Sequence, residues 1–258
     1  MAARARIGRY ELLLRLARGG MAELHLARPV AHQRFARLVA IKRILPHLAD
    51  DPAFVAMFLN EGRIAARLSH PNVCAVHELI EDGGELALVM EHLTGAAWDE
   101  VASAAPRTPW GARLAIGVLS QACAGLHHAH TLRAPGGAAT PIVHRDVSPQ
   151  NLFVTGEGVC KVLDFGISKQ LGDPRYTATG VIKGKLPYLA PEQLRGEAVD
   201  ARADLWALGV VLWEAIAGRR LFERATEFLT YEAIHDAVVP ALGVPALDAV
   251  IGRALQRD

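Results

Sequence analysis

The segment HRDVSPQN, residues 144–151, places three side chains that could do chemistry close together in the chain. Asp146 contributes a carboxylate, Ser148 a hydroxyl and Asn151 an amide, so the segment can accept a proton and can donate or accept hydrogen bonds. The short apolar runs PIV and LFV on either side predict two strands, IVH (142–144) and LFVT (152–155), with Asp146, Ser148 and Asn151 in the loop between them. Binding and catalytic residues concentrate in loops on a rigid scaffold, which makes this segment the first candidate site.

A second unusual carboxylate, Glu61, belongs to a segment that is otherwise typical of an apolar helix face. DDP predicts a helix start with proline in the first turn, and AFVAMFLNEGRIAARL follows it with apolar residues at helical spacing. The apolar residues are Phe54, Met57, Phe58, Ala65 and Leu68. A carboxylate among them is costly to bury without a cation, so the sequence predicts a cationic partner for Glu61.

The elements that must position these residues change type along the chain. YELLLRLA, AELHLAR, RLVAIKRIL, VCAVHELI and ELALVMEHL are apolar or β-prone runs that predict strands, with turns at RGGM and EDGG. From about Trp98 onward the pattern is mainly helical, and DARADLWALGVVLWEAIAG predicts a nearly all-apolar helix that ends at Gly218. We predict a small β-rich lobe joined near residues 91–97 to a larger helical lobe, with a ligand-binding cleft between the lobes.

Composition and charge argue against several classes of protein. The 258-residue chain is 51% hydrophobic and 21% charged, as globular proteins are, and its net charge of +1 offers no basic surface for nucleic acid. The N-terminus lacks the apolar stretch of a signal peptide, and the most apolar segment is interrupted by Glu214 and too short for a membrane span. Cys74, Cys123 and Cys160 are widely spaced, which argues against a disulfide or zinc framework and favours a reducing cytoplasm.

The apolar periodicity continues into the last residues, ALQRD, so we expect the C-terminal helices to be incomplete.

Seven motifs in this order resemble those of eukaryotic-type protein kinases, and the bacterial serine/threonine kinases are the most similar members. The motifs are VAIK (39–42), Glu61, HPN (70–72), HRDVSPQN (144–151), DFG (164–166), APE (190–192) and DLWALG (204–209). The resemblance implies an α+β protein-kinase fold of two lobes. It implies one kinase domain over residues 1–258, with an N-lobe over 1–93, a hinge at 91–97 and a C-lobe over 98–258. It also implies transfer of the ATP γ-phosphoryl group to serine or threonine hydroxyls of proteins, with Mg²⁺ or Mn²⁺, in bacterial signalling.

The resemblance assigns catalytic roles to five residues. Lys42 is expected to bind the α- and β-phosphates and to be the cation that Glu61 requires. Asp146 is expected to accept or orient the proton of the incoming hydroxyl, while Asn151 and Asp164 bind Mg²⁺ through oxygen. These roles fit phosphoryl transfer, which depends mainly on charge neutralisation and placement.

For the nucleotide, the resemblance implies contacts from both lobes. Besides Lys42, the residues expected to contact ATP are Leu16, Gly19, Gly20, Leu24, Ala40, Met90, Glu91, Leu93 and Phe153. Met90 is the expected gatekeeper, and the backbone of Glu91 and Leu93 is expected to form hydrogen bonds with the adenine.

The loop that covers the phosphates departs from the family pattern. G-x-G-x-x-G appears here as ARGGMA, residues 17–22, so only Gly19 stands at a motif position. Alanine resists positive φ and adds a methyl group where the backbone should approach phosphate, so we expect Ala17 and Ala22 to weaken ATP binding. Gly19 and Gly20 still supply a flexible tip.

A second departure exchanges a charge between two segments. Most serine/threonine kinases have lysine two residues after the catalytic aspartate, where this chain has Ser148. In GKLPYLAPE, Lys185 instead stands where the family usually has a threonine that contacts the catalytic loop. We predict that the Lys185 ammonium occupies the γ-phosphate-facing space that Ser148 leaves. The alternative is a solvated Lys185, since lysine is flexible.

Regulation by phosphorylation is also implied. Arg145 precedes the catalytic aspartate, which in the family marks kinases whose activation loop is ordered by a phosphate. Thr177 and Thr179 lie between DFG and APE and are the expected sites of phosphorylation by the kinase itself. Asp204 is expected to brace the backbone around Arg145. Kinases of this type that phosphorylate themselves in trans often pair, so a transient homodimer is a further expectation.

Two other functions compete with this interpretation. A pseudokinase that binds nucleotide or a partner without turnover is suggested by Ala17, Ala22 and Ser148, although the five residues with catalytic roles are intact. A small-molecule kinase of related fold, such as an aminoglycoside phosphotransferase, generally lacks the APE segment and the DLWALG helix start that this chain has.

Overall fold

A computed structural model of the protein describes residues 5–30, 37–105, 108–134, 136–165 and 184–256. The chain divides into two compact units, one of residues 1–69 and 74–94 and the other of residues 70–73 and 95–258. The strands are β1 (Arg6–Ile7), β2 (Tyr10–Arg18), β3 (Ala22–Pro29), β4 (Val39–Ile44), β5 (Val76–Asp82), β6 (Glu85–Glu91), β7 (Gly95–Ala97), β8 (Leu152–Thr155) and β9 (Cys160–Val162). The helices are α1 (Pro46–Ala49), α2 (Pro52–Ala65), α3 (Trp98–Ala104), α4 (Pro109–His130), α5 (Pro191–Leu194), α6 (Ala201–Ala217), α7 (Glu227–Asp236) and α8 (Pro245–Ala254). Two short 3₁₀ turns span Pro149–Asn151 and Leu186–Tyr188.

The first unit is built on a six-stranded antiparallel sheet in the order β1-β2-β3-β4-β6-β5. Its α2 begins where the sequence predicted, with the Asp51 side chain accepting from the Ala53 backbone N–H and with Pro52 in the first turn. Phe54 and Phe58 of α2 pack into one apolar cluster with Ile44, Leu86 and Leu88 from the sheet. Burial of this cluster fixes the helix on the strands that carry the first unit's candidate residues.

The hairpin that EDGG predicts is present between β5 and β6. Gly83 and Gly84 have φ angles of +57° and +83°. Positive φ at both central residues is the requirement of a type I′ turn, whose twist matches that of the flanking strands. The two strands therefore pair directly, with Asp82 opposite Glu85.

The second unit combines helices with a three-stranded sheet in the order β7-β8-β9. The near-continuously buried α6 is its central helix: it contacts α4 and α8, starts at a cap by Asp200 and ends at Gly218 with φ of +65°. Antiparallel sheets together with segregated helices confirm the predicted α+β class. None of the described helices has the length and apolar character needed to cross a bilayer.

One expected strand is absent. Residues 142–144, IVH, have no strand assignment in the structure. The backbone N–H of Ile142 donates to Ala129 O of α4, and the backbone N–H of His144 donates to the Asp204 side chain of α6. Because helices and a side chain take these hydrogen bonds, the segment needs no neighbouring strand.

Candidate functional site

The HRDVSPQN loop is anchored to the central helix by one buried carboxylate. Asp204, only 1% exposed, accepts the backbone N–H of His144 at Oδ2 and that of Arg145 at Oδ1, both at 2.8 Å. Arg145 has φ of +66°, a strained conformation for a residue with a side chain. Its carbonyl oxygen accepts from Gln193 Nε2 at 3.0 Å, so hydrogen bonds on both sides stabilise this backbone. Asp204 therefore lies where the sequence expected it to brace the loop.

His144 links the same loop to residues 163–165, which include the aspartate and the phenylalanine of the DFG motif. Its Nδ1 accepts the backbone N–H of Asp146 at 3.2 Å, and its Nε2 lies 2.8 Å from Leu163 O. A carbonyl can only accept, so His144 is the neutral tautomer with its proton on Nε2. The ring also packs against Phe165, with ring centroids 4.6 Å apart. The fully buried imidazole thus fixes the Asp146 backbone relative to residues 163–165.

Asp146 and Asn151 are directly bonded. Asn151 Nδ2 donates to Asp146 O at 2.7 Å and to Asp146 Oδ2 at 2.9 Å, and both side chains are buried. These two bonds fix the amide plane and direct Asn151 Oδ1 away from Asp146. Leu163 N donates to Asn151 O at 2.9 Å, which connects Asn151 to the residue before Asp164. An amide oxygen and an exposed carboxylate on tethered segments are the hard oxygen ligands that suit Mg²⁺.

Lys185 contacts the same carboxylate. Its Nζ lies 2.6 Å from Asp146 Oδ2, and the two side chains are 22% and 6% exposed. Lys185 directly precedes the 3₁₀ turn Leu186–Tyr188, whose Tyr188 hydroxyl donates to Glu214 Oε2 at 2.9 Å. Burial, with the nearby Glu214 charge, raises the Tyr188 pKa, so this phenol stays a donor at neutral pH.

Ser148, the other residue of the predicted charge exchange, is 1% exposed. Its hydroxyl has no hydrogen-bond partner among the residues that the structure describes. A buried hydroxyl without a partner loses its hydration without compensation. The serine therefore brings neither charge nor a structural hydrogen bond to the loop.

The cation that Glu61 requires is Lys42. Lys42 Nζ on β4 lies 2.6 Å from Glu61 Oε1 on α2, with side chains 19% and 18% exposed. The helix can approach the sheet closely because the next residue is Gly62, where an added Cβ would lie 2.5 Å from Leu88 Cδ2. The pair therefore depends on the packing of α2 on the sheet.

The loop between β2 and β3 does not need the missing glycines in the way the sequence suggested. The Gly19 N–H donates to Ala22 O at 2.9 Å and closes the turn. None of Ala17, Gly19, Gly20 and Ala22 adopts positive φ. The backbone conformation therefore places no strain on the two alanines, and only their methyl groups distinguish them from glycine.

The residues expected around adenine are placed on regular elements. Leu16, Leu24, Ala40 and Met90 lie on strands β2, β3, β4 and β6, and Ala40 pairs with Met90 in register.

The Glu91 N–H donates to Ala75 O at 2.9 Å, so a backbone contact from Glu91 to adenine has to use its carbonyl oxygen. Leu93 follows β6 and is half-buried, and Phe153 lies on β8 of the second unit.

Two predicted sites lie outside the described residues. Thr177 and Thr179 belong to residues 166–183, which the structure does not describe. Arg145, the residue expected to bind their phosphate, is half-buried and has no ion pair within the described part of the chain.

Sequence reasoning missed two residues that support the loop. His130 Nε2 lies 2.7 Å from Asp204 Oδ2, so the end of α4 contacts the anchoring carboxylate. Gln193 accepts from Ala190 N at 3.0 Å while its amide donates to Arg145 O. Gln193 directly follows APE, but no local pattern distinguishes it from a solvated glutamine.

Comparison with known proteins gives a consistent picture. A model of the family described as protein kinase domain matches residues 10–246. The tyrosine-protein kinase MasK of Myxococcus xanthus is 44% identical over 229 residues, 88% of this chain and 35% of that protein. The serine/threonine-protein kinase PknB of Mycolicibacterium smegmatis is 37% identical over 263 residues, 97% of this chain and 40% of that protein. A probable serine/threonine-protein kinase of Streptomyces coelicolor is 35% identical over 265 residues, 97% of this chain and 37% of that protein. The chain thus spans well under half the length of these relatives.

Proposed function

Because the chain belongs to the protein kinase family, we propose that it transfers the γ-phosphoryl group of ATP to serine and threonine hydroxyls of proteins. One observation carries this proposal most directly: the Asp146 carboxylate is held by Asn151 and Lys185 on a loop that Asp204 anchors. A carboxylate fixed in this way can receive a hydroxyl group in one orientation, which is the placement that phosphoryl transfer requires. No observation favours the pseudokinase alternative.

Asp146 acts on the acceptor. Its carboxylate accepts a hydrogen bond from the incoming hydroxyl, orients the oxygen toward the γ-phosphorus and receives the proton as the new bond forms. Asn151 and Lys185 both donate to Oδ2, which fixes the orientation of the carboxylate toward the acceptor.

Residues of both units bind the nucleotide in this proposal. Lys42, oriented by Glu61, binds the α- and β-phosphates, and Asn151 Oδ1 and the Asp164 carboxylate hold Mg²⁺. When bound, the metal ion neutralises the phosphate charge. Adenine contacts Ala40, Met90 and the other predicted residues, namely Leu16, Leu24, Leu93, Phe153 and the Glu91 carbonyl. Gly19 and Gly20 cover the phosphates.

Phosphorylation of the chain's own Thr177 or Thr179 is part of the proposal. A phosphothreonine adds about −1.5 to −2 charge at neutral pH. Arg145 has no ion pair in the described residues and is therefore suited to bind this phosphate. We propose that such an ion pair orders the loop next to the catalytic residues, and that the reaction proceeds through a transient homodimer.

The proposed activity is tested by phosphate incorporation from ATP and Mg²⁺, measured by intact mass on the parent and on Asp146→Asn. We expect the parent to gain phosphate and the variant not to. A parent that gains none, on itself or on a generic protein substrate, contradicts the proposal. If both proteins gained phosphate equally, a contaminating kinase would be the source.

A tyrosine acceptor is the second candidate, because MasK is described as a tyrosine-protein kinase and is 44% identical. Trypsin should release residues 176–183, YTATGVIK, which contain Tyr176, Thr177 and Thr179 in one peptide. Fragmentation of the phosphorylated peptide distinguishes the acceptors directly. Phosphate on Thr177 or Thr179 supports the main proposal, and phosphate on Tyr176 alone supports tyrosine specificity.

We also propose a cytoplasmic location for this domain and activity in bacterial signalling. The basis is the wide spacing of Cys74, Cys123 and Cys160 in the sequence, which argues against a disulfide framework and favours a reducing compartment. Its protein substrates are expected to present serine or threonine in exposed segments.

A further inference from the structure

Lysine is rare in this chain, and one of its lysines contacts the carboxylate proposed to receive the acceptor. Of the 28 lysine and arginine residues in the chain, only five are lysines. Lys185 Nζ lies 2.6 Å from Asp146 Oδ2, while the buried Ser148 of the same loop is uncharged and its hydroxyl has no partner within the described residues. The cation that contacts Asp146 therefore comes from the segment before APE, and position 148 of the loop supplies none.

The geometry points to Lys185 as a catalytic residue: we propose that its ammonium contacts the transferring γ-phosphoryl group while it holds Asp146. This inference rests on the proposed function. In this proposal Lys185 makes the γ-phosphate contact that a lysine at position 148 would make.

Lys185 lies within a short distance of the reacting atoms. In the proposed reaction the acceptor oxygen is hydrogen-bonded to Asp146 and lies about 3–3.5 Å from the γ-phosphorus before attack. Lys185 is one hydrogen bond from the same carboxylate, on Oδ2. A cation in this position is therefore next to the oxygens on which charge is spread in the transition state.

The Lys185 ammonium has enough donors for two acceptors. An ammonium group has three N–H donors at tetrahedral angles, so it can bond a carboxylate and a phosphoryl oxygen at the same time. The Asn151 amide donates to the same Oδ2 and keeps the carboxylate oriented if Lys185 shifts toward the phosphate.

In the proposed reaction Lys185 neither gains nor loses a bond to a heavy atom. The bond between the γ-phosphorus and the β-phosphate oxygen breaks, and a bond between that phosphorus and the acceptor oxygen forms. The acceptor proton passes to Asp146, and ADP leaves with the electron pair of the broken bond. Lys185 keeps its protons throughout, so its contribution is electrostatic.

A purely structural role for Lys185 is the competing explanation. In that case the lysine would neutralise Asp146 and hold the turn Leu186–Tyr188, without touching phosphate. Both roles reduce activity when Lys185 is replaced, so activity alone does not separate them. Affinity for ADP and for a non-hydrolysable ATP analogue does, because only the analogue carries a γ-phosphate.

The test compares Lys185→Met, which keeps the length but not the charge, with Lys185→Arg and with the matched control Lys161→Met on β9. Calorimetry gives the Kd values for ADP and for AMP-PNP with Mg²⁺, and steady-state assays give kcat. We expect Lys185→Met to lower kcat about 10²–10³-fold and to reduce the preference for AMP-PNP over ADP, with ADP affinity unchanged. Lys185→Arg should retain part of both, and Lys161→Met should match the parent. Equal affinity changes for the two nucleotides, or none, overturn the proposal.

A relocation variant tests whether positions 148 and 185 serve the same space. Lys185→Thr should lose activity as Lys185→Met does, and addition of Ser148→Lys should restore kcat at least about tenfold, the effect of roughly 1.4 kcal/mol. A doubly substituted protein that binds ADP like the parent but is no faster than Lys185→Thr overturns the relocation.

The binding arm also separates this inference from the proposed function. If the parent transfers no phosphate but prefers AMP-PNP, and Lys185→Met removes that preference, the phosphate contact stands and the catalytic proposal fails. A parent that binds neither nucleotide overturns both.

Discussion

Two lysine–carboxylate pairs, one in each unit, have the same length but different surroundings. Lys42–Glu61 and Lys185–Asp146 both have N···O distances of 2.6 Å, and the lysines are 19% and 22% exposed. Glu61 is 18% exposed, whereas Asp146 is only 6% exposed. The charge on Asp146 is therefore less screened by water, and losing a partner should affect it more.

The backbone that supports each pair also differs. Lys42 and Glu61 lie on β4 and α2, whose positions follow from strand register and from apolar packing. Asp146 and Lys185 lie on irregular backbone that is held by hydrogen bonds to side chains such as Asp204. The first pair should therefore be sensitive to packing changes, and the second to the loss of single polar side chains.

The largest expected effect comes from neutralising the acid of each pair. Asp146→Asn removes the group that receives the acceptor proton and should lower kcat by about 10²–10⁴-fold. Glu61→Gln removes one charge-assisted hydrogen bond of about 1.5–3 kcal/mol, so a loss of roughly 10- to 100-fold is expected. Steady-state kinetics on both variants measure the ratio. Equal losses would contradict the different roles assigned to the two carboxylates.

Replacing Asp204, which anchors the loop that carries Asp146, gives the next largest expected effect. Asp204→Ala leaves the His144 and Arg145 backbone N–H groups without their buried acceptor, at about 1–3 kcal/mol for each group. We expect a loss of about 2–5 kcal/mol in the free energy of unfolding, measured by urea denaturation. Asp200→Ala, which removes the exposed cap of the same helix, is the control and should cost about 1 kcal/mol. If the two costs were equal, the loop would not depend on Asp204.

A packing change should disturb the first pair selectively. Gly62→Ala places a Cβ 2.5 Å from Leu88 Cδ2, and Leu88 is only 1% exposed. Overpacking of this kind costs about 1–3 kcal/mol and should move α2, and Glu61 with it, away from the sheet. Gly117→Ala in α4 is the matched control, because an added Cβ there meets nothing within 4 Å. The control should be neutral or about 0.5–1 kcal/mol more stable.

Thermal melting and kcat together check the Gly62 prediction. A Gly62→Ala protein that melts like the parent would show that Leu88 can adjust. A variant that is destabilised but has unchanged kcat would show that the Lys42–Glu61 pair does not require this helix position.

The comparison also explains what the sequence could predict. Glu61 among the apolar residues of a helix face predicted a cationic partner, and LFVT matches β8 (Leu152–Thr155), because both follow from local periodicity. The strand expected at residues 142–144 was wrong because a side chain about sixty residues later, on Asp204, takes the backbone hydrogen bond of His144. Gln193 was missed for the same reason, since its contact with Arg145 O is not a local pattern. Regular elements are predictable from spacing, whereas the supports of the irregular loop are tertiary.

The smallest effect concerns residues 70–73, which interrupt the first unit in sequence but belong to the second. His70 Nδ1 accepts the Asn72 N–H at 3.1 Å, and its ring stacks on His128 with centroids 5.2 Å apart. Burial, then the neighbouring His128 and Lys161, lower the His70 pKa. The unfolded chain therefore binds the proton more readily, and stability should fall as the pH drops below about 6.5.

Replacing the titrating group while keeping an acceptor should remove part of this dependence. The His70→Asn side chain can still accept from the Asn72 N–H but carries no proton that titrates near neutral pH. Urea denaturation at about pH 7, 6 and 5 should show a shallower decline in its unfolding free energy than in the parent. His77→Asn, at an exposed position on β5 of the first unit, is the control and should keep the parental slope. If His70→Asn kept it too, the acid sensitivity of the second unit would not originate at this stacked pair.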